Sequence, residues 1–203
     1  MIKIIDYGLG NILAFQNMYK RLNVPVGLAK TADDLEGATR LILPGVGAFD
    51  HAMEELDRSG MRARLDELVL GENMPVLGIC VGMQILAERS DEGRLTGLGW
   101  IPGEVKGFRE LNQPDLLLPH MGWNDVQPEP GHRLFKDLTA DARFYFLHSF
   151  YFECKDPSHT AAVSSYGKEF SCAVSTRNVH GVQFHPEKSH HFGAQLLKNF
   201  AEL

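Results

Sequence analysis

Short apolar runs alternating with amphipathic stretches leave a chain few folds, because the runs must pair into a sheet and the stretches must cover it. Here the runs are IKIIDY near the N-terminus, PVGLAK, RLILPG (Arg40 to Gly45) and PVLGI (Pro75 to Ile79). Between them, helical spacing of apolar residues runs from Asn11 to about Leu22 and from Ala52 to Leu70, with a break near Ser59-Gly60. After PVLGI the chain turns at Gly78-Ile-Cys80-Val-Gly82 into MQILAER, which is expected to be helical. Strands joined by crossovers of this length run parallel. From about Leu98 to Gly181 the runs shorten to GEVKGF, GWNDVQP, RFYFLHSFYFEC, AAVSSYG, FSCAVST and VHGVQFH, punctuated by Pro and Gly as in antiparallel hairpins. Phe192, Leu196, Leu197, Phe200 and Leu203 form one helical stripe at the end. No repeat or linker interrupts the chain. The expectation is one α/β domain over residues 1–203, with a mixed, largely parallel central sheet flanked by helices.

Composition removes several function classes. A hydrophobic content of 44% and a charged content of 23% are ordinary for a globular chain, and the net charge of −6 comes without any basic run. Nucleic acid is therefore not an expected partner. No apolar stretch approaches the roughly 18 to 20 residues that span a bilayer, and the N-terminus has no long apolar leader. Cys80, Cys154 and Cys172 are too few for a disulfide framework, so the expected placement is the cytoplasm, with reduced thiols.

The Gly-x-Cys-x-Gly pattern around Cys80, between a buried strand and a helix, has the form of a nucleophile elbow. Gly78 and Gly82 suit the tight turn, the helix N-terminus favours a thiolate, and the Val81 N–H faces the place where an oxyanion would form. A buried structural cysteine between two packing glycines has the same local sequence. Among nine histidines, His185 ends the apolar strand GVQFH and is followed by Pro186 and Glu187. Pro186 stops the strand, and Glu187 can orient the imidazole as the third member of a Cys-His-Glu triad. A strand-end histidine is by itself more often structural than catalytic; the elbow and Glu187 reverse that balance. Pro44-Gly45-Val46-Gly47 follows a buried strand, where doubly wound sheets build ligand crevices. Its glycines let backbone N–H groups approach a ligand, although an ordinary strand-end turn has the same composition. His185, Glu187, His190 and His191 match no familiar zinc spacing, and no Walker or Rossmann fingerprint is present, so neither metal nor cofactor is expected. The run RFYFLHSFYF reads as an alternating core strand.

PGVG, GICVGMQ and GVQFHPEKS, in that order, resemble the class I, triad-type glutamine amidotransferases, which have a flavodoxin-like sheet. With PHMGWN (Pro119 to Asn124) and FYFLHSF (Phe144 to Phe150), the whole chain is similar to the glutaminase subunits of imidazole glycerol phosphate synthases, of histidine biosynthesis. The resemblance implies a triad of Cys80, His185 and Glu187. It implies an oxyanion hole from Val46, Gly47 and Val81, with a peptide flip in the PGVG strand as one route to it. Gln84 and Glu92 match positions that hold L-glutamine, and His148, Ser149 and Phe150 match the segment on its other side. Asn11, Met121, Trp123, Tyr145 and Lys188 match positions at the interface with a (β/α)8 cyclase subunit, which receives the ammonia as partner in a heterodimer.

Two departures from the family pattern stand out, and only the second bears on the acceptor. Val81 stands where the family usually has Leu, which matters little because its backbone does the work. The stretches DEGRLTGLGWIPGEVKGF and KSHHFGAQLLKNF resemble a divergent branch that supplies ammonia for amidination of nucleotide-linked surface sugars. A stand-alone cysteine hydrolase or peptidase of the same architecture is a further alternative, and the PHMGWN segment argues against it. All three triad positions are filled, which disfavours a regulatory module with no activity.

Overall fold

A computed structural model describes residues 1–203 and bears out the mixed α/β expectation. The elements are β1 (Ile2–Ile5), α1 (Ile12–Arg21), β2 (Val26–Ala29), β3 (Arg40–Gly45), α2 (Phe49–Arg58), α3 (Arg62–Asp66), β4 (Val76–Cys80), α4 (Val81–Gln84) and β5 (Arg89–Ser90). They continue with β6 (Gly103–Gly107), β7 (His120–Asp125), β8 (Gln127–Pro128), β9 (Arg143–His148), β10 (Phe150–Cys154), β11 (Thr160–Tyr166), β12 (Lys168–Thr176), β13 (Val179–Val182) and α5 (His190–Glu202).

The main sheet follows the order β2-β1-β3-β4-β13-β12-β10-β6-β5. The strands from β2 to β13 run parallel, and β12, β10 and β6 continue antiparallel. The crossovers β1–α1–β2 and β3–α2–α3–β4 move in opposite directions along the sheet. Right-handed connections therefore put α1 on one face and α2 on the other. α1 packs with α5, and α2 packs with α4. Covered on both faces, β4 is buried along its whole length and β3 from Leu41 to Gly45, which is why these runs read as continuously apolar rather than alternating.

β7 and β9 form a separate two-stranded ribbon with Trp123 opposite Tyr145 and His120 opposite His148. Its alternation is clean. His120, Phe144, Phe146 and His148 point into the core, while Met121 (65% exposed) and Trp123 (41%) face outward.

Two element expectations are corrected. MQILAER is not a helix: α4 is a single turn ending at Gln84. The carbonyls of Ile85, Leu86 and Ala87, which would continue it, accept instead from the N–H groups of Leu98, Ile101 and Gly99 at 2.8, 3.1 and 3.0 Å. A distant loop thus replaces the next helical turn. RFYFLHSFYFEC is not one strand either; it divides at Ser149 into β9, in the ribbon, and β10, in the main sheet. The break near Ser59-Gly60 stands as read: α2 stops at Arg58 and Gly60 takes φ +72°.

Candidate active site

Three neighbouring parallel strands, β3, β4 and β13, end at one edge of the sheet, where a doubly wound fold gathers its ligand site. β3 runs on into Val46-Gly47, β4 ends in Cys80, and β13 leads to His185. The register sets Gly45 beside Cys80 and Val182 beside Ile79, so the three segments emerge level.

Cys80 adopts φ +55° and ψ −114°. This is a strained conformation for a residue with a side chain, held only because its surroundings over-determine it. The glycines explain how. A Cβ on Gly82 would lie 1.9 Å from the Leu43 carbonyl oxygen, and one on Gly78 would lie 2.5 Å from that of Gly82. The elbow therefore packs backbone on backbone, which no larger residue permits. Because α4 is one turn, a long helix dipole is absent; any anion stabilisation here comes from the unpaired N–H groups of its first residues.

His185 Nδ1 donates to Glu187 Oε1 at 2.9 Å, with the two side chains 5% and 2% exposed. That bond fixes the tautomer and leaves Nε2 for the thiol. Glu187 Oε2 is buried without a partner, so other donors do not dilute the carboxylate's charge. Burial alone would push the His185 imidazolium down; the adjoining Cys80 sulfur and Glu187 carboxylate outweigh it and raise the pKa to about 9. The Tyr145 carbonyl accepts from the His185 N–H at 2.8 Å, tying the imidazole's strand to the β7–β9 ribbon.

A cleft of about 290 Å³ opens over Cys80 and His185. Val46, Gly47, Val81, Gln84, Glu92, His148, Ser149, Phe150 and Lys188 line it with them, together with Pro119 and Leu147, which sequence reasoning did not single out for the pocket. Tyr7 was also missed: its hydroxyl donates to the Pro44 carbonyl at 2.7 Å and pins the PGVG strand. Glu92 also caps α2: its Oε2 accepts from the Phe49 N–H at the start of that helix at 2.9 Å. Burial raises its pKa. The His148 imidazole does not reach freely into the cleft. Its Nδ1 donates to the Phe150 carbonyl at 2.7 Å and its Nε2 accepts from His120 Nδ1 at 2.9 Å. Burial keeps both rings neutral, with pKa values near 3 for His148 and 4 for His120.

Of the residues expected at a partner interface, four cluster. Trp123 meets the edge of Tyr145 at 6.3 Å between centroids, Lys188 Nζ lies 5.6 Å from the Tyr145 ring centroid, and Met121 is exposed on the same strand as Trp123. Asn11 is exposed at the N-terminus of α1, the helix that packs on the Pro186–Lys188 turn. His190, not foreseen, stacks on Trp123 with ring planes 10° apart.

A strained cysteine at a strand end, facing a carboxylate-oriented histidine from the adjacent strand, is the arrangement of a thiol acyl-transfer site. The chain belongs to the class I glutamine amidotransferase family, whose model matches residues 3–203. It is 64% identical to the imidazole glycerol phosphate synthase subunit HisH of Bdellovibrio bacteriovorus and 50% identical to that of Leptospira interrogans, each alignment covering 100% of both chains. Among solved structures it resembles a glutamine amidotransferase with TM-score 0.77 at 19% identity, over 99% of this chain and 97% of that one. A chain of PurLQS from Thermotoga maritima gives TM-score 0.74 at 16% identity, over 99% and 97%. At such identities the structural likeness speaks for the fold.

Proposed function

We propose that this chain, as one amidotransferase domain over residues 1–203, is the glutaminase subunit of an imidazole glycerol phosphate synthase. It hydrolyses L-glutamine and passes ammonia to a (β/α)8 cyclase subunit in a heterodimer. The observation that carries the reading is Cys80 and His185 at the cleft with buried Glu187 behind the imidazole, in a chain 64% identical end to end to a subunit of that name.

The Cys80 thiolate attacks the side-chain amide carbon, forming a C–S bond and a tetrahedral oxyanion. The Val81 N–H and the Val46-Gly47 peptide supply donors for that oxygen. Protonated His185 gives its Nε2 proton to the leaving nitrogen, the C–N bond breaks, and ammonia departs. The neutral imidazole then takes a proton from water, whose oxygen attacks the thioester, and glutamate leaves as the thiolate is restored. Gln84, Glu92 and the 148–150 segment line the walls that hold the amino acid. Met121, Trp123, Tyr145, Lys188 and Asn11 form the docking face, so that ammonia passes to the partner before bulk water protonates it.

Relatives with full-length identity of this degree carry the histidine-pathway name, which leaves the sugar-amidinating branch and the stand-alone hydrolase without comparable support. No helix is long and apolar enough to cross a membrane, and the three cysteines are free, which suits a reducing compartment such as the cytoplasm. The test is reconstitution with a cyclase barrel and its nucleotide substrate. Cys80→Ala should abolish glutamine-driven synthesis, by several orders of magnitude, and leave ammonium-driven synthesis intact. Glutamine use by the variant near the parent level would sink the nucleophile assignment; indifference of the parent to the barrel would sink the pathway.

A further inference from the structure

One polar side chain beside the nucleophile has no task in the reaction just described. Gln183 directly follows β13 and is 0% exposed between Val182 and Phe184, which are also fully buried. A primary amide in such a place costs several kcal/mol unless its hydrogen bonds are made, and the neighbours show that the position suits an apolar residue. The backbone holds it firmly, its N–H donating to the Cys172 carbonyl at 2.8 Å. Its Oε1 accepts from Gln84 Nε2 at 3.1 Å, and its Nε2 lies 3.8 Å from Cys80 Sγ.

The direction of this chain is forced. Gln84 Nε2 also donates to the Phe150 backbone carbonyl at 3.4 Å. A carbonyl can only accept, so Gln84 must present its NH2 group there and to Gln183. Gln183 must then present oxygen to Gln84 and its own NH2 to the sulfur.

Resting on the Cys80 nucleophile proposed above, we infer that Gln183 is a further catalytic residue: its amide N–H holds the Cys80 sulfur as thiolate, and Gln84 positions it. A bond to an ionised acceptor is about twice as strong as one between neutral groups. The thioester sulfur is neutral and a poor acceptor. The contact therefore favours the thiolate before attack and again as it leaves in hydrolysis. An amide cannot surrender its proton, so this donor stabilises the thiolate without quenching it. His185 pairs with the same thiolate but gives its proton to the leaving ammonia, whereas the amide donor stays in place through both half-reactions.

The experiment follows Cys80 alkylation by iodoacetamide against pH in Gln183→Met, which keeps the shape and removes the donor, with Cys80→Ala as the blank for Cys154 and Cys172. At pH 7 the variant should react about tenfold more slowly, the loss of one charge-assisted bond. The deficit should close at high pH, where the thiol is ionised in either protein. Glutamate release with the partner should fall as kcat, with KM little changed. Gln183→Asn withdraws the amide by one methylene, keeps its polarity, and should show the same deficit if the Met variant folds poorly. Parent-like alkylation at pH 7, or a deficit that persists unchanged to high pH, would overturn the role of Gln183 while leaving the nucleophile assignment standing. Glutamine hydrolysis surviving in Cys80→Ala would strike the assignment instead.

Discussion

Glu187 gives one oxygen to His185 and keeps the other dry and unpaired, so its charge acts almost wholly on the imidazole. Glu187→Gln keeps the volume and removes the charge. It should lower kcat roughly 10²- to 10⁴-fold, as expected when a triad carboxylate is neutralised. It should also shift the alkaline limb. The carboxylate helps to lift His185 to about 9, so without it the imidazolium that feeds the leaving ammonia is lost at lower pH. A kcat–pH profile with an unmoved alkaline limb would count against this electrostatic role. The triad was legible in the sequence because each member sits in a local pattern: glycines two residues either side of Cys80, and a proline between His185 and Glu187. Gln183 and Tyr7 were not, since their partners, Gln84 and Pro44, lie far along the chain. The available hint was a lone glutamine in the buried run VHGVQF, which a core position rarely tolerates without a partner.

Under the proposed function, the β7–β9 ribbon joins two jobs in one element. Its outer face carries Trp123, stacked on His190, and its backbone holds the catalytic turn. The Tyr145 N–H donates to Ser189 Oγ at 3.0 Å, and Ser189 Oγ donates to the His185 carbonyl at 2.6 Å. Aromatic anchors of this kind dominate interfaces. Trp123→Ala should therefore weaken partner binding about 30-fold, equivalent to roughly 2 kcal/mol, while saturating partner restores much of the turnover. An unchanged Kd by titration calorimetry would remove Trp123 from the docking face. Parallel strands with crossover helices were readable from periodicity. The end of α4 and the division at Ser149 were not, because both depend on which distant segment claims the backbone: the 97–101 loop in one case, two different sheets in the other.

Across the whole molecule, buried imidazoles set the response to acid. Burial is the main cause that lowers His120 and His180 to about 4 and His148 to about 3. In the unfolded chain these rings bind protons near pH 6.5. Between that value and about 4 the unfolded state holds more protons, so stability is full above pH 6.5 and falls as the pH drops. His185 has the opposite sign: its contribution is full below pH 6.5 and is lost as pH rises through about 9. Thermal melts should show Tm falling steadily from pH 6.5 to 4; a flat profile would contradict neutral burial of these rings. The main sheet was foreseen as a whole, yet the adjacency of β4 and β13 was not, because their pairing spans most of the second half of the chain. That adjacency orders events during synthesis. The nucleophile, at position 80, is built into the chain with more than half of the length still to be made. Until β13 arrives, no base lies beside the cysteine and glutamine is safe from it. Under the proposed assignment the docking face is likewise finished only when Lys188 and His190 follow, so the newborn protein completes its base and its landing surface together.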